Sequence, residues 1–215
     1  MSVVVNNDFS NDTYGIRAER LNAIQGNFSS IQTELDAPAN IETWAATCYD
    51  DYSTIWSASG VEANESESAS LDVDMKEQVL EETYQIARTL AFGLYADQPL
   101  LYKDFGFETA FPERRNDKIN KVNNILDQHA RQVAEGATTL LPASLITRLG
   151  NAKDDYVAAL QVQDKERTDA RHAVSALKKR FESDTKILQA LKGWWFFQFG
   201  KNDDRIGLIG MVNPD

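Results

Sequence analysis

The sequence predicts an all-α, elongated antiparallel bundle of four to five helices with a short non-helical C-terminal arm. Three observations carry that expectation. Apolar residues recur at steps of three and four in every long segment, the signature of a helix with one packed face. Alternation of the kind a half-buried strand needs is confined to VVV at Val3–Val5 and the IGLIGMV tail. The pattern from Asn151 to Phe197 would be roughly 70 Å long at about 1.5 Å per residue, so shorter helices placed end to end must cover it.

The first helix is expected over Asp12–Asp36, with Leu21, Ile24, Phe28, Ile31 and Leu35 on one seam. Asp12 or Thr13 suits its N-cap, and Pro38 stops it. A second helix runs from the N-cap Asn40 to Ser59 or Gly60. Its apolar residues, among them Trp44, Cys48, Tyr52 and Trp56, cover two adjacent stripes. Glu62–Asp74 is acidic and serine-rich and reads as a linker or a solvated helical extension. Asp74 with Glu77 resembles a capping box for a third helix, whose face carries Val79, Leu80, Thr83, Ile86, Ala87, Leu90, Ala91 and Leu94.

Gln98–Phe111 reads as an aromatic loop with Tyr102, Phe105, Phe107 and Phe111. Pro112 opens a fourth helix carrying Ile119, Val122, Leu126, His129 and Val133, ended by Gly136. The last helix follows Pro142, with Gly150 as a candidate break. The chain therefore divides into one helical bundle over residues 1–200 and an apolar arm over 201–215.

Length and composition bound the function. The 215 residues, 42% of them hydrophobic and 26% charged, suffice for a folded core. A net charge of −11 argues against a nucleic-acid partner, which requires a basic surface to displace counterions. The charge divides unevenly. Residues 1–100 hold 4 Lys and Arg against 17 Asp and Glu (−13), and residues 101–215 hold 18 against 16 (+2). Neither a secretion signal nor an apolar run of membrane-spanning length is seen, so the expected location is cytoplasmic or within a virion or extracellular assembly.

Chemistry leaves few candidates. The single cysteine, Cys48, excludes an internal disulfide and any thiolate cluster. A di-iron site in a bundle needs Glu-x-x-His pairs, and no Glu stands three residues before His129 or His172. His129 fits a core or boundary position, His172 a solvated one, and Cys48 a buried inert thiol. The acidic doublets Asp50–Asp51, Glu81–Glu82 and Asp154–Asp155 read as solvated flanks, because adjacent helical residues point about 100° apart. Lys178, Lys179, Arg180, Lys186 and Lys192 are interleaved with Glu182 and Asp184 and read as a solvated face. No catalytic residue, cofactor or metal is assigned, and an enzyme is not expected.

The most unusual segment is GWWFFQFG, with Trp194, Trp195, Phe196, Phe197 and Phe199, followed by Ile206, Leu208, Ile209, Met211 and Val212. Two arrangements suit it. The aromatics close the bundle against the loop at 98–111 with the tail folded over them, or the tail docks on a neighbouring subunit. The expected function is a structural, self-assembling subunit of a homo-oligomer or filament associating through its termini. An adaptor binding a partner protein through the 98–111 loop is the alternative, and a peripheral membrane-surface binder using the C-terminal aromatics is a second.

Overall fold

The computed structural model describes residues 9–136, 141–201 and 203–211. Val3–Val5, Leu140 and Val212 lie outside the described residues. The protein is an all-α helical bundle. Its helices are α1 (Tyr14–Leu35), α2 (Ala39–Leu94), α3 (Pro99–Asp104), α4 (Arg115–Ala134) and α5 (Ala143–Phe199), with 3₁₀ turns at Phe9–Asn11 and Asp204–Ile209. No strand occurs among the described residues.

The local signals act much as their chemistry dictates. The Thr13 side chain caps α1 by accepting from the Ile16 N–H at 3.3 Å. Asp36 ends it in the left-handed region (φ 46°), its N–H bonded to the Gln32 carbonyl. Asp12 is therefore free for another role. Where two helices and an intervening linker were one reading, α2 runs unbroken through Gly60 and the acidic stretch. That stretch has no proline, and Ala69 and Val73, four residues apart, are buried and anchor it. Gly150 likewise sits inside α5, and α4 begins at Arg115, with Pro112 outside it.

Where one bundle over 1–200 plus an arm was expected, the chain forms two compact units, Met1–Asn64 with Thr168–Asp215, and Glu65–Arg167. Each has its own core, and α2 and α5 supply residues to both. In the first unit, Leu21, Ile24, Phe28, Ile31 and Leu35 of α1 meet Ile41, Ala45, Cys48 and Tyr52 of α2 and Leu177, Leu188, Leu191 and Trp195 of α5. In the second, Leu80, Tyr84, Ala87 and Ala91 of α2 meet Val122 and Ile125 of α4 and Leu149, Ala152 and Tyr156 of α5.

The C-terminal arm belongs to the first unit. Ile206, Ile209 and Met211 are buried in its core. Gly210 (φ 66°) lies so close to α1 that an added Cβ would meet the Arg20 Cα at 3.0 Å, and its carbonyl accepts from Arg20 at 2.6 Å. The expected non-helical arm is thus a 3₁₀ turn folded onto its own chain.

Candidate functional site

The two units hold three concentrations of polar or apolar side chains that could act. The first surrounds Arg17, which is wholly buried. Its guanidinium donates to Asp12 Oδ2 at 3.1 Å, the Phe181 carbonyl at 3.0 Å, Thr185 Oγ1 at 2.9 Å and the Phe9 carbonyl. It also lies 3.9 Å from the centroid of the Phe181 ring. Arg20 donates to the same Asp12 carboxylate at 3.2 Å. Burial lowers the Arg17 pKa, and Asp12 opposes that effect. The knot ties the N-terminal 3₁₀ turn to α1 and α5.

Beside it is a surface groove of about 670 Å³ with Tyr14 and Phe181 in its lining and Lys178, Glu182 and Lys186 contributed by α5. Of the other basic residues of that run, Lys192 lies over the Phe9 and Phe196 rings and Arg180 is paired. Arg180 donates to Asp184 at 3.0 Å and to the Cys48 carbonyl at 3.3 Å. Asp184 is fully buried and accepts from the Trp44 indole at 2.9 Å. Burial raises its pKa, against the lowering effect of the Trp44 and Arg180 bonds. Cys48 is buried as its stripe position implies, and burial pushes its thiol up to about 12.

The second concentration lies in the other unit. Glu77 of α2 accepts from the Lys118 ammonium of α4 and from the Tyr156 hydroxyl of α5 at 3.1 Å. Burial alone would raise the Glu77 pKa, but these two hydrogen bonds and the Lys118 charge hold it below the ordinary carboxylate value. The same contact pushes Tyr156 up to about 12, with burial the largest cause. This corrects the reading of α4. Its buried face is Lys118, Val122, Ile125 and Gln132, while Val133 is exposed. His129 is half-buried, its Nε2 without a hydrogen-bond partner among the described residues, and His172 is exposed.

The sequence-selected interaction residues fall in separate cores. Phe105 and Phe107 are fully buried in the second unit, with Tyr102 and Phe111 packed against them and Tyr84 stacked on Phe111 at 4.5 Å. They fill the unit whose helices they follow, so the two phenylalanines are not surface groups. Trp195 is buried in the first unit, Phe196 and Phe199 pack on that core, and Trp194 donates to the Leu35 and Asp36 carbonyls at 2.9 and 3.0 Å. Among the described members of the set, Phe197 (77%) and Leu208 (42%) are the large side chains left exposed. The C-terminal aromatics and the loop aromatics thus do not close one shared core.

The third concentration is an apolar stripe on α2. Leu71, Met75, Val79, Ile86, Leu90 and Leu94 are each 37 to 59% exposed. With Glu82 they follow steps of four, four, three, four, four and four, so they wind along one side of the helix over an arc of about 140° and a length of about 35 Å. The sequence reading placed Val79, Ile86, Leu90 and Leu94 on the buried face with Leu80, Ala87 and Ala91. In the structure the buried series is Val73, Leu80, Tyr84, Ala87 and Ala91, and the other series faces outward. The signal was available in the sequence: two interleaved apolar series make an arc too wide for one neighbour to cover.

Shallow depressions follow α2 here. One is lined by Gln78, Glu81, Glu82, Gln85 and Ile86, the next by Gln85, Ile86, Thr89, Leu90, Gly93 and Leu94. Comparison of the chain with protein-family models, with curated proteins and with solved structures finds no match. Among the described residues, no helix is long and apolar enough to cross a membrane.

Proposed function

We propose that this protein works by holding another protein against its helices, as an adaptor of the helical-bundle type, and that it performs no covalent chemistry. The observation supporting this is the α2 stripe. Six large exposed apolar side chains along one side of one helix, divided into two groups by Glu82, form an apolar surface of the kind that marks an interaction site. The loop at 98–111 contributes to this role by filling the core beneath α2.

A second reading is favoured by the charge division, −13 against +2 in the two parts of the chain (4 against 17 and 18 against 16). In that reading the protein is a self-assembling structural subunit of a homo-oligomer or filament, in a cytoplasmic or virion-like setting, with acidic and neutral-to-basic sides of successive copies meeting. The folded-back arm moves the contact from an exchanged tail to exposed side chains such as Phe197.

One experiment separates them. A photo-crosslinking amino acid at position 90, activated in the cells that make the protein, should give a discrete adduct that is lost when Ile86→Ser is added. An adduct with a different protein supports the adaptor, and an adduct with a second copy supports the assembly subunit. Absence of any adduct at position 90 refutes the adaptor, and absence of a second-copy adduct from a crosslinker at position 197 refutes the assembly subunit.

A further inference from the structure

We infer that the occupant of the α2 stripe is a cationic amphipathic helix of another protein, an inference that rests on the association reading above. The depressions along α2 have a specific form. Gln78, Glu81, Glu82 and Gln85 stand at i, i+3, i+4 and i+7, and so do Ile86, Thr89, Leu90 and Gly93. Four residues at that spacing make the hole that receives one side chain of a facing helix in knobs-into-holes packing. The surface of α2 therefore carries open holes suited to a helix.

Their chemistry differs. The 86–93 hole is lined by Ile86, Leu90, Leu94, Thr89 and, at its edge, Gln85, and it is widened by Gly93, where an added Cβ would meet nothing within 4 Å. It fits an apolar knob. The 78–85 hole holds two carboxylates, Glu81 and Glu82, and no cation lines it. It lies on the flank of the stripe, about 12 Å along the axis (eight residues at about 1.5 Å). A partner helix whose apolar side chains enter the stripe would present its flank there, where Lys or Arg satisfies the pair and Glu or Asp is repelled.

Charge also argues against a second copy packing α2 on α2. Glu82 sits at the middle of the Leu71–Leu94 stripe, so a two-fold antiparallel pairing would bring the Glu82 carboxylates of the two copies together. The two cations on this part of α2 are already engaged. Lys76 pairs with Asp155 at 3.8 Å, and Arg88 donates to the Phe107 carbonyl at 2.9 Å.

The test uses the full chain and three fluorescent helical peptides of equal length. One has a leucine stripe flanked by lysine, one the same stripe flanked by glutamate, and one the lysine composition with its leucines scrambled. The leucine–lysine helix should bind at least tenfold more tightly than either of the others. Gly93→Lys, placed in open space, should weaken it at least tenfold with an unchanged helical spectrum. Glu81→Lys with Glu82→Lys should reverse the preference toward the glutamate-flanked helix, while Glu19→Lys, in the other unit, should change nothing. Equal binding of all three peptides, or a preference untouched by charge reversal, overturns the inference. A concentration-dependent oligomer dissolved by Gly93→Lys would also overturn it, by making a second copy the occupant, yet would leave the association reading standing.

Discussion

Replacing Arg17 with methionine should cost the first unit about 3–5 kcal/mol, the range for breaking a buried ion pair by removing one partner. The guanidinium is fully buried, with four hydrogen-bond acceptors and the Phe181 ring around it. Methionine keeps much of the aliphatic volume but provides no donor. Asp12 would retain Arg20 at 3.1 Å as its cation, which favours the lower end of the range. Trp44, Trp56, Trp194 and Trp195, the four tryptophans of the chain, all belong to the first unit, so their fluorescence reports on it selectively. With a urea m-value of about 2 kcal/mol/M, the midpoint should fall by about 1.5–2.5 M. Adding Asp12→Asn should deepen the loss, because Arg20, itself buried, would then lose its carboxylate as well. A loss below about 1 kcal/mol, or a double variant as stable as Arg17→Met, would refute the assignment of this knot as the tie between the N-terminal turn, α1 and α5.

Three further outcomes can be checked. The Glu77 carboxylate titrates lower in the folded protein than in the unfolded chain, so its stabilisation is complete above the ordinary carboxylate range and fades as pH falls through that range toward the folded value. The advantage of the native chain over Glu77→Gln, read by hydrogen exchange in α4, should shrink on acidification, and growth instead would contradict the sign. The Cys48 thiol, raised to about 12 by burial, should resist a disulfide-exchange reagent at pH 8 until the chain is unfolded, and rapid native labelling would show that it is accessible. Gly210→Ala should cost about 1–2 kcal/mol, because it forces a side chain into left-handed backbone against the Arg20 Cα at 3.0 Å. Proteolysis within 203–211 should then accelerate, and unchanged resistance would mean that the close approach is not what holds the arm.

Much of the helical skeleton was legible because helix formation depends on near neighbours in the chain. The Leu21-to-Leu35 seam fixed α1 and its buried face, and the three-four spacing in the other segments marked α2, α4 and α5. Cys48, Tyr52 and Trp195 also lie in the core that their stripes imply. The acidic run at 62–74 was ambiguous because its serines and glutamates suit either a linker or a helix. Burial of Ala69 and Val73 against other parts of the chain decided the matter.

The candidate surface was legible only in part. The acidity of α2 and the apolar character of Val79, Ile86, Leu90 and Leu94 are plain in the residues, but their outward direction is not. An isolated helix has no inside; it becomes two-faced when neighbours cover one of its stripes, and α4 and α5 cover the stripe of Leu80, Tyr84 and Ala87. The same holds for charge. Hydropathy alone places Lys118 and Arg17 in water, yet Glu77 and Asp12 neutralise them in buried positions. Sequence by itself determined most of the helical segments, because periodicity and capping are properties of a few adjacent residues. Tertiary structure decided which stripe is core, which charges are buried and where the arm lies, because those depend on partners brought from far along the chain.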